Sequence, residues 1–278
     1  MSAISDYITG LSNKLGYWSL TETTGTNLVE GGGTLGDGTL VGTYTMGEPG
    51  VPQGDTAIYF NPGGATDGTA RLGYNGYNAA ASGKNNFVIG CFYKLPTGYA
   101  VSGTLERLMT FHMNAGANAA PALGLSISST AQTVSLSVAS GSADTTNNSF
   151  AGANRTLDVW HLIVGHALLG TAAAGKLNVS HDGAAFANEV TITSTNANYV
   201  SSASTASNDF DCISGRYTGG SLTERIDATI AHPFILHTTL KADALIVAQN
   251  LWSIMNWNQN NTHIRKTSGY YSIHHLGL

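Results

Sequence analysis

Apolar residues alternate with small polar residues over two neighbouring stretches of the chain. Between Leu123 and Ile127, leucine and isoleucine alternate with glycine and serine, and between Val134 and Val138, valine and leucine alternate with serine. A period of two residues places alternate side chains on opposite faces of a β-strand. The two stretches therefore predict a β-hairpin with one buried face, and a chain built in this way must fold as sheets.

Longer strand-like segments recur along the chain, separated by clusters of glycine, asparagine, aspartate and serine. Residues 87–93 are apolar at both alternating sets of positions, which predicts an interior strand covered on both sides. Residues 226–236 again follow a period of two, and Pro233 among them indicates either an edge strand or a bulge. Asp182-Gly183 is a tight-turn dipeptide. We therefore predict an all-β chain that forms one domain.

A helix is predicted at each end of this β region. Residues 3–15 carry an apolar stripe at helical spacing, and residues 240–255 carry a second one. We place the boundaries as an N-terminal helix at 1–16, a β domain at 17–255 and a C-terminal tail at 256–278.

Composition excludes two classes of partner. Charged residues make up only 10% of the chain and the formal net charge is −5. Without a run of lysine or arginine, no nucleic-acid partner is expected, and without a long apolar run no membrane partner is expected. Cys91 and Cys212 lie in apolar segments, which favours buried free thiols over a disulfide.

The order and spacing of several segments resemble the concanavalin A-like lectin/glucanase superfamily in its laminin-G-like form. The segments are YWSLTETTG (17–25), DGTL (37–40), FVIGCFYK (87–94), WHLIV (160–164), LNVSHDG (177–183), IDATI (226–230) and LKAD (240–243). The resemblance covers residues 17–255 and implies a two-sheet antiparallel jelly-roll sandwich with short terminal helices. Within such a fold, Trp18, Trp160 and Trp252 are expected in the core.

Enzymes of this superfamily need two carboxylates that flank the sugar bond. On a strand, such residues must share one face and therefore stand two or four positions apart. Glu224 and Asp227 have the wrong spacing, and Asp209 and Asp211 share a face but lack a third acid. We therefore expect no catalytic residues and no enzyme activity.

No cofactor is expected either, although laminin-G-like domains commonly hold calcium at the rim. Asp67, Asp182 and Asp209 stand in predicted loops, where carboxylates could join such a site. The alternative is that these aspartates only form turns and caps. A rim calcium ion therefore stays an open alternative.

One loop has a composition suited to contact with a ligand. Tyrosine offers a flat ring and a hydroxyl, and asparagine offers a donor and an acceptor, a mixture that suits a sugar or a protein partner. The alternative is a loop packed on its own domain. The candidate contact residues are Tyr74, Asn75, Tyr77 and Asn78, with Tyr217 as a second, weaker candidate.

The two ends carry apolar side chains beyond what the sandwich requires, which suggests assembly contacts. Folding of both ends back onto a sheet face is the alternative. The candidate assembly residues are Ile4, Tyr7, Ile8, Leu11, Trp257, Tyr270 and Tyr271.

The chain starts directly with a helix and without the pattern of a secretion signal. It also resembles virion proteins of tailed bacteriophages in its small-residue composition. We therefore expect a non-catalytic protein of a virion surface (a head decoration or fibre protein, or a tail adhesin) that is made in the host cytoplasm. Its partners would be other virion proteins or sister subunits, with surface glycans as a further class. A free carbohydrate-binding module and, less favoured, a degenerate glycoside hydrolase are the alternatives.

Overall fold

The structure is a computed structural model that describes most of the chain. For residues 112, 122, 139, 145, 146, 217, 218 and 258–267 it describes the backbone alone. The described residues are 2–33, 35–51, 55–61, 67–72, 85–99, 105–112, 122–127, 133–139, 145–150, 156–169, 175–186, 188–192, 211–218, 221–237 and 240–267.

Two helices and eighteen strands make up this described part. The helices are α1 (Ala3–Gly10) and α2 (Lys241–Thr267). The strands, in chain order, are β1 (Lys14–Tyr17), β2 (Asn27–Leu28), β3 (Gly38–Val41), β4 (Tyr44–Pro49), β5 (Thr56–Phe60), β6 (Thr69–Leu72), β7 (Asn86–Lys94), β8 (Glu106–His112), β9 (Ala122–Ile127), β10 (Val134–Ala139), β11 (Thr145–Phe150), β12 (His161–Leu168), β13 (Lys176–His181), β14 (Val190–Thr191), β15 (Asp211–Ile213), β16 (Arg216–Thr218), β17 (Ser221–Thr223) and β18 (Ala228–His237).

Sixteen of these strands form two antiparallel sheets of eight. The first sheet has the order β14-β13-β12-β7-β18-β5-β4, with β1 also paired to β18. The second sheet has the order β11-β10-β9-β8-β15-β6-β3-β2, and β16 and β17 form a separate hairpin. The predicted two-sheet jelly-roll sandwich is confirmed.

Local strand predictions hold where the alternation is strongest. β9 and β10 pair in the expected hairpin, with Leu125 opposite Leu136. β7 lies in the middle of the first sheet and is buried on both faces, as predicted. Asp182 and Gly183 both have positive φ angles, and the Ala184 N–H donates to the His181 carbonyl, which is the expected tight turn.

Pro233 marks a bulge and not an edge strand. β18 lies between β7 and β5, and its pairing with β7 shifts register between Ala231 and Phe234. The bulge gives His232 a φ of 50° and directs its buried ring toward neighbouring segments. Its Nδ1 lies 2.8 Å from the Tyr17 hydroxyl and its Nε2 lies 2.6 Å from the Val51 carbonyl oxygen. Pro233 lacks a backbone N–H, but it removes no strand-pairing hydrogen bond here, because the bulge already interrupts the ladder.

Two apolar clusters lie on opposite faces of the first sheet. The sandwich cluster fills the space between the sheets and contains Trp18, which is 0% exposed and was correctly predicted as core. The helix-side cluster lies between the first sheet and the two helices. Trp160 and Trp252 only border this second cluster and are partly buried, so they were placed too deeply by the sequence prediction. The ammonium of Lys94 lies 5.6 Å from the centre of the Trp160 ring.

Helix α1 is shorter than the predicted helix over residues 3–15. It is capped by Ser2, whose hydroxyl accepts the Ser5 N–H at 3.2 Å, and it ends at Gly10. Ile4 and Ile8 are 0% exposed in the helix-side cluster. The prediction that these two residues form assembly contacts is therefore wrong, because the chain buries them against its own sheet.

Helix α2 is longer than predicted and continues past residue 255 into the predicted tail. It lies beside α1, where the Asn250 amide donates to the Tyr7 hydroxyl at 3.1 Å. Its outer side exposes Ile246 and Trp257, by 52% and 68%. Neither helix, as far as the structure describes them, combines the length and apolar character needed to span a membrane.

Candidate functional site

The outer face of the second sheet carries a row of polar and small residues that are direct cross-strand neighbours. We call this set the polar row. Its members run from β2 to β11 in the order Asn27, Thr39, Arg71, Cys212, Thr110, Gly124, Ser137 and Asn147.

The alternation of each strand explains why these residues face outward. Leu40 and Leu72 neighbour row members along their strands and lie in the sandwich cluster, as do Leu125 and Leu136. Side chains at adjacent strand positions point to opposite faces. The side chains of the polar row therefore point away from the sandwich cluster, toward the outer face of the second sheet.

The centre of the polar row is buried. The Thr110 hydroxyl and the Cys212 thiol both donate to the Gly215 carbonyl oxygen, at 2.9 Å each. The Arg107 side chain crosses the sheet over Gly124 and donates to the Ser137 hydroxyl. A side chain at position 124 would collide with this guanidinium, since a Cβ there would lie 2.6 Å from its Nη1.

Arg107 is a buried charged residue near the centre of the polar row. Its Nε donates to Glu224 Oε2 at 2.7 Å, and Arg216 Nη1 lies 3.6 Å from Glu224 Oε1. Burial lowers the pKa of the Arg107 guanidinium, and the neighbouring Glu224 carboxylate opposes this shift. Glu224 thus neutralises the buried positive charge of Arg107, which would destabilise the fold if it had no counter-ion.

One end of the polar row is open to solvent. Asn27 and Thr39 are exposed and Arg71 is half-buried. We call these three residues the binding patch. Neighbouring strands are about 4.8 Å apart, so the binding patch spans roughly 10 Å, which matches one or two sugar rings. It offers an amide, a hydroxyl and a guanidinium, which together can donate to and accept from sugar hydroxyls.

The predicted tyrosine loop adjoins the binding patch in sequence. Tyr74, Asn75, Tyr77 and Asn78 lie outside the described residues, but their segment directly follows β6, which carries Arg71. For Tyr217 the structure describes only the backbone, in β16. Its role in contact with a ligand or a protein partner stays a prediction.

The predicted assembly residues separate into three groups. Ile4 and Ile8 are buried, as described above, and Tyr7 and Leu11 are partly buried against the helix-side cluster. Trp257 is exposed on α2. Tyr270 and Tyr271 lie outside the described residues.

The acidic residues considered for catalysis serve other purposes or lie elsewhere. Glu224 pairs with Arg107 and Asp211 begins β15, whereas Asp209 is outside the described residues. Burial raises the pKa of the Asp227 carboxyl, an effect that a hydrogen bond from Tyr59 opposes. Asp67 accepts the Thr43 N–H at 3.1 Å and so stabilises a turn.

Sequence reasoning missed the polar row as a unit. The alternating glycine and serine of β9 and β10 did indicate a polar outer face. Asn27, Thr39 and Arg71, by contrast, come from three short strands, and only the register of the sheet makes them neighbours.

No protein-family model matches the chain, and no curated protein matches its sequence. Solved structures of similar fold do exist. One is the binding domain of botulinum neurotoxin DC in complex with rat synaptotagmin II, with 11% identity and a TM-score of 0.57, over 90% of this chain and 52% of that chain.

A second similar structure comes from botulinum neurotoxin type C, whose cell entry depends on interaction with two ganglioside molecules. It has 13% identity and a TM-score of 0.55, over 89% of this chain and 52% of that one. A third is the neurotoxin DC binding domain in complex with SialylT, with 13% identity and a TM-score of 0.55, over 90% of this chain and 52% of that chain. The chain thus spans about half the length of each of these three chains. The likeness shows a shared jelly-roll sandwich fold.

Proposed function

We propose that this chain is a non-catalytic binding module that holds a glycan on the binding patch of its second sheet. The observation that carries the proposal is the contiguous placement of Asn27, Thr39 and Arg71 on an open sheet face. The fold is also that of domains whose structures were determined with SialylT or synaptotagmin bound. Fold alone does not establish function, so the proposal depends on the binding patch.

The two sheets differ in a way that supports this assignment. The first sheet is covered on its outer face by α1 and α2, which bury an apolar cluster there. At the open end of its polar row, the second sheet instead presents the Asn27 amide and the Thr39 hydroxyl, beside the half-buried Arg71. Sugars are recognised by such groups together with aromatic rings, and the sequence segment that directly follows β6 contains two tyrosines.

The first prediction concerns one hydroxyl of the binding patch. Binding is measured by isothermal titration against sialylated oligosaccharides and bacterial surface polysaccharides. Thr39→Val is expected to weaken binding of the best of these ligands about 2- to 10-fold, because it removes one hydrogen bond without changing shape. Arg71→Lys is expected to weaken it by about tenfold, because the planar fork of donors is lost.

Thr45→Val is the matched control, because Thr45 is an exposed strand threonine on the first sheet. Its affinity should equal that of the unchanged protein. If none of the sugars binds, or if Thr39→Val and Thr45→Val behave alike, the binding patch is not the site.

We propose further that the module belongs to the surface of a bacteriophage virion, as a head decoration or fibre protein, or as a tail adhesin. Low charge, small-residue composition and two buried free thiols support this context. On α2, Ile246 and Trp257 stand eleven residues apart, three helical turns, and so face the same way. This exposed stripe suits contact with another virion protein or a sister subunit. A free carbohydrate-binding module is the competing proposal.

The second prediction separates these two contexts. The chain should sediment with phage particles from lysing cells, and Trp257→Ala should reduce that association while the melting temperature stays within about 2 °C. Recovery of the chain only in the particle-free fraction would favour the free module.

A further inference from the structure

Two histidines and an aspartate meet at one end of the sandwich, away from the polar row. His161 begins β12, and His181 and Asp182 end β13 and start its turn. Asp182 Oδ2 lies 2.8 Å from His161 Nδ1 and 3.4 Å from His181 Nδ1, and the three ligand atoms lie within 4.8 Å of one another. We call this set the histidine cluster.

The sequence brings these groups together through strand register. Ile163 pairs with His181 across β12 and β13, so the start of one strand meets the end of the other. His161 shares its strand face with Ile163, and His181 shares its face with Val179; both of these apolar residues belong to the sandwich cluster. Both rings are therefore buried, and Asp182, with 24% of its side chain exposed, forms the side toward solvent.

A neutral His161 ring cannot satisfy both of its hydrogen-bond partners. Its Nδ1 faces the Asp182 carboxylate and its Nε2 lies 3.2 Å from the Thr156 carbonyl oxygen. Both partners are acceptors, whereas a neutral imidazole has a single N–H to donate. With the proton on Nε2, the ring satisfies Thr156 and leaves the Nδ1 lone pair facing a carboxylate. A second proton on the ring or a metal ion shared by Nδ1 and the carboxylate removes this conflict.

The remaining atoms of all three side chains already have partners. The Tyr93 hydroxyl lies 3.0 Å from His181 Nε2, and the Leu162 N–H donates to Asp182 Oδ1 at 2.8 Å. Thr156 faces the far nitrogen of His161. Metal-binding histidines typically use one nitrogen for the metal and donate the other N–H to such an outer partner, which fixes the orientation of the ring. Both histidines show this arrangement, and the Leu162 N–H holds the Asp182 carboxylate in place.

We propose that the histidine cluster binds a divalent transition-metal ion through His161 Nδ1, His181 Nδ1 and Asp182 Oδ2. Two imidazoles and one carboxylate suit Zn²⁺ and its first-row neighbours, whereas Ca²⁺ prefers a shell of oxygen atoms. Ligands of a tetrahedral ion bound at 2.0–2.1 Å lie about 3.4 Å apart. The 2.8 and 3.4 Å separations here require only a small opening, and the two Nδ1 atoms, which lie within 4.8 Å of each other, must come to a similar distance. The ion would tie the start of β12 to the turn after β13.

The third prediction tests this site with Zn²⁺ alone, on the full chain. Isothermal titration with zinc chloride should give one ion per chain, and the melting temperature should rise with zinc concentration, because an ion that binds the folded state stabilises it. Asp182→Asn and His161→Gln should each weaken binding by more than about 100-fold. Asparagine tolerates the positive φ of position 182, so this variant keeps the turn.

Two further variants distinguish ligation from general damage. His166→Gln changes another buried histidine of β12 that lies outside the cluster, and it should leave zinc affinity unchanged. Tyr93→Phe removes the hydroxyl that lies beside His181 Nε2 and should weaken zinc binding by about tenfold. Absence of saturable zinc binding would overturn the proposal. Equal affinity in the unchanged protein, Asp182→Asn and His161→Gln would also overturn it and would point to the cysteines or to histidines elsewhere in the chain.

Discussion

Replacement of Trp18 by alanine should lower the free energy of unfolding by about 3–5 kcal/mol, as for other large buried aromatic residues. The indole is 0% exposed within the sandwich cluster, and its Nε1 donates to the Gly36 carbonyl oxygen at 3.2 Å. Gly16 lies so close that a Cβ there would be 2.5 Å from the ring. The surroundings therefore cannot easily collapse into the cavity. Chemical denaturation measures the loss.

Trp257→Ala is the matched control for this experiment, because Trp257 is 68% exposed on α2. Its cost should stay below about 0.5 kcal/mol. A loss of less than about 1 kcal/mol for Trp18→Ala would mean that the ring is not packed between the sheets.

The second large effect is expected from removing the charge that neutralises Arg107. Glu224→Gln should lower the free energy of unfolding by about 2–4 kcal/mol, because it leaves a buried guanidinium without a counter-ion. The figure is below that for a fully buried pair, since 26% of the Glu224 side chain is exposed. Arg107→Met should cost less than Glu224→Gln, because a partly exposed carboxylate can be hydrated whereas a buried cation cannot.

Glu189→Gln provides the comparison, since Glu189 pairs with Lys176 and Lys241 at an exposed site. Exposed ion pairs contribute about 1 kcal/mol or less. Equal losses for the Glu224 and Glu189 variants, in denaturant titrations at low salt, would show that the Arg107 pair is hydrated.

Local alternation was enough to predict an all-β chain and several of its strands, whereas the two-sheet sandwich was implied by the family resemblance. The β9–β10 hairpin and the doubly buried β7 follow directly from two-residue periods, which depend only on neighbouring residues. The Asp182-Gly183 turn was equally readable, because positive φ angles strongly favour such dipeptides.

The helix boundary at the N-terminus could not be obtained in the same way. Leu11 and Leu15 continue the apolar spacing of α1, so local periodicity favours a longer helix. In the structure, Tyr17 pairs with Phe234 from the other end of the chain, and this sheet pairing decides the conformation of residues 14–17. Lys14 then reaches back and donates to the Thr9 and Leu11 carbonyl oxygens near the end of the shortened helix.

The candidate sites were harder to predict than the fold for a similar reason. The tyrosine segment is conspicuous in sequence because its residues are adjacent. The binding patch joins three short strands, and the histidine cluster joins a strand start to a strand end about twenty residues later. Asp182 was expected to form a turn. Asp182 does form the turn, and its carboxylate also brings the two imidazoles together.

Glycan binding at the binding patch is tested most directly by a crystal structure of the chain with the sugar that binds most tightly in solution. We expect the sugar on the outer face of the second sheet, within hydrogen-bonding distance of Thr39 and Arg71. A sugar bound against α1 and α2, or at a site that touches no member of the binding patch, would contradict it.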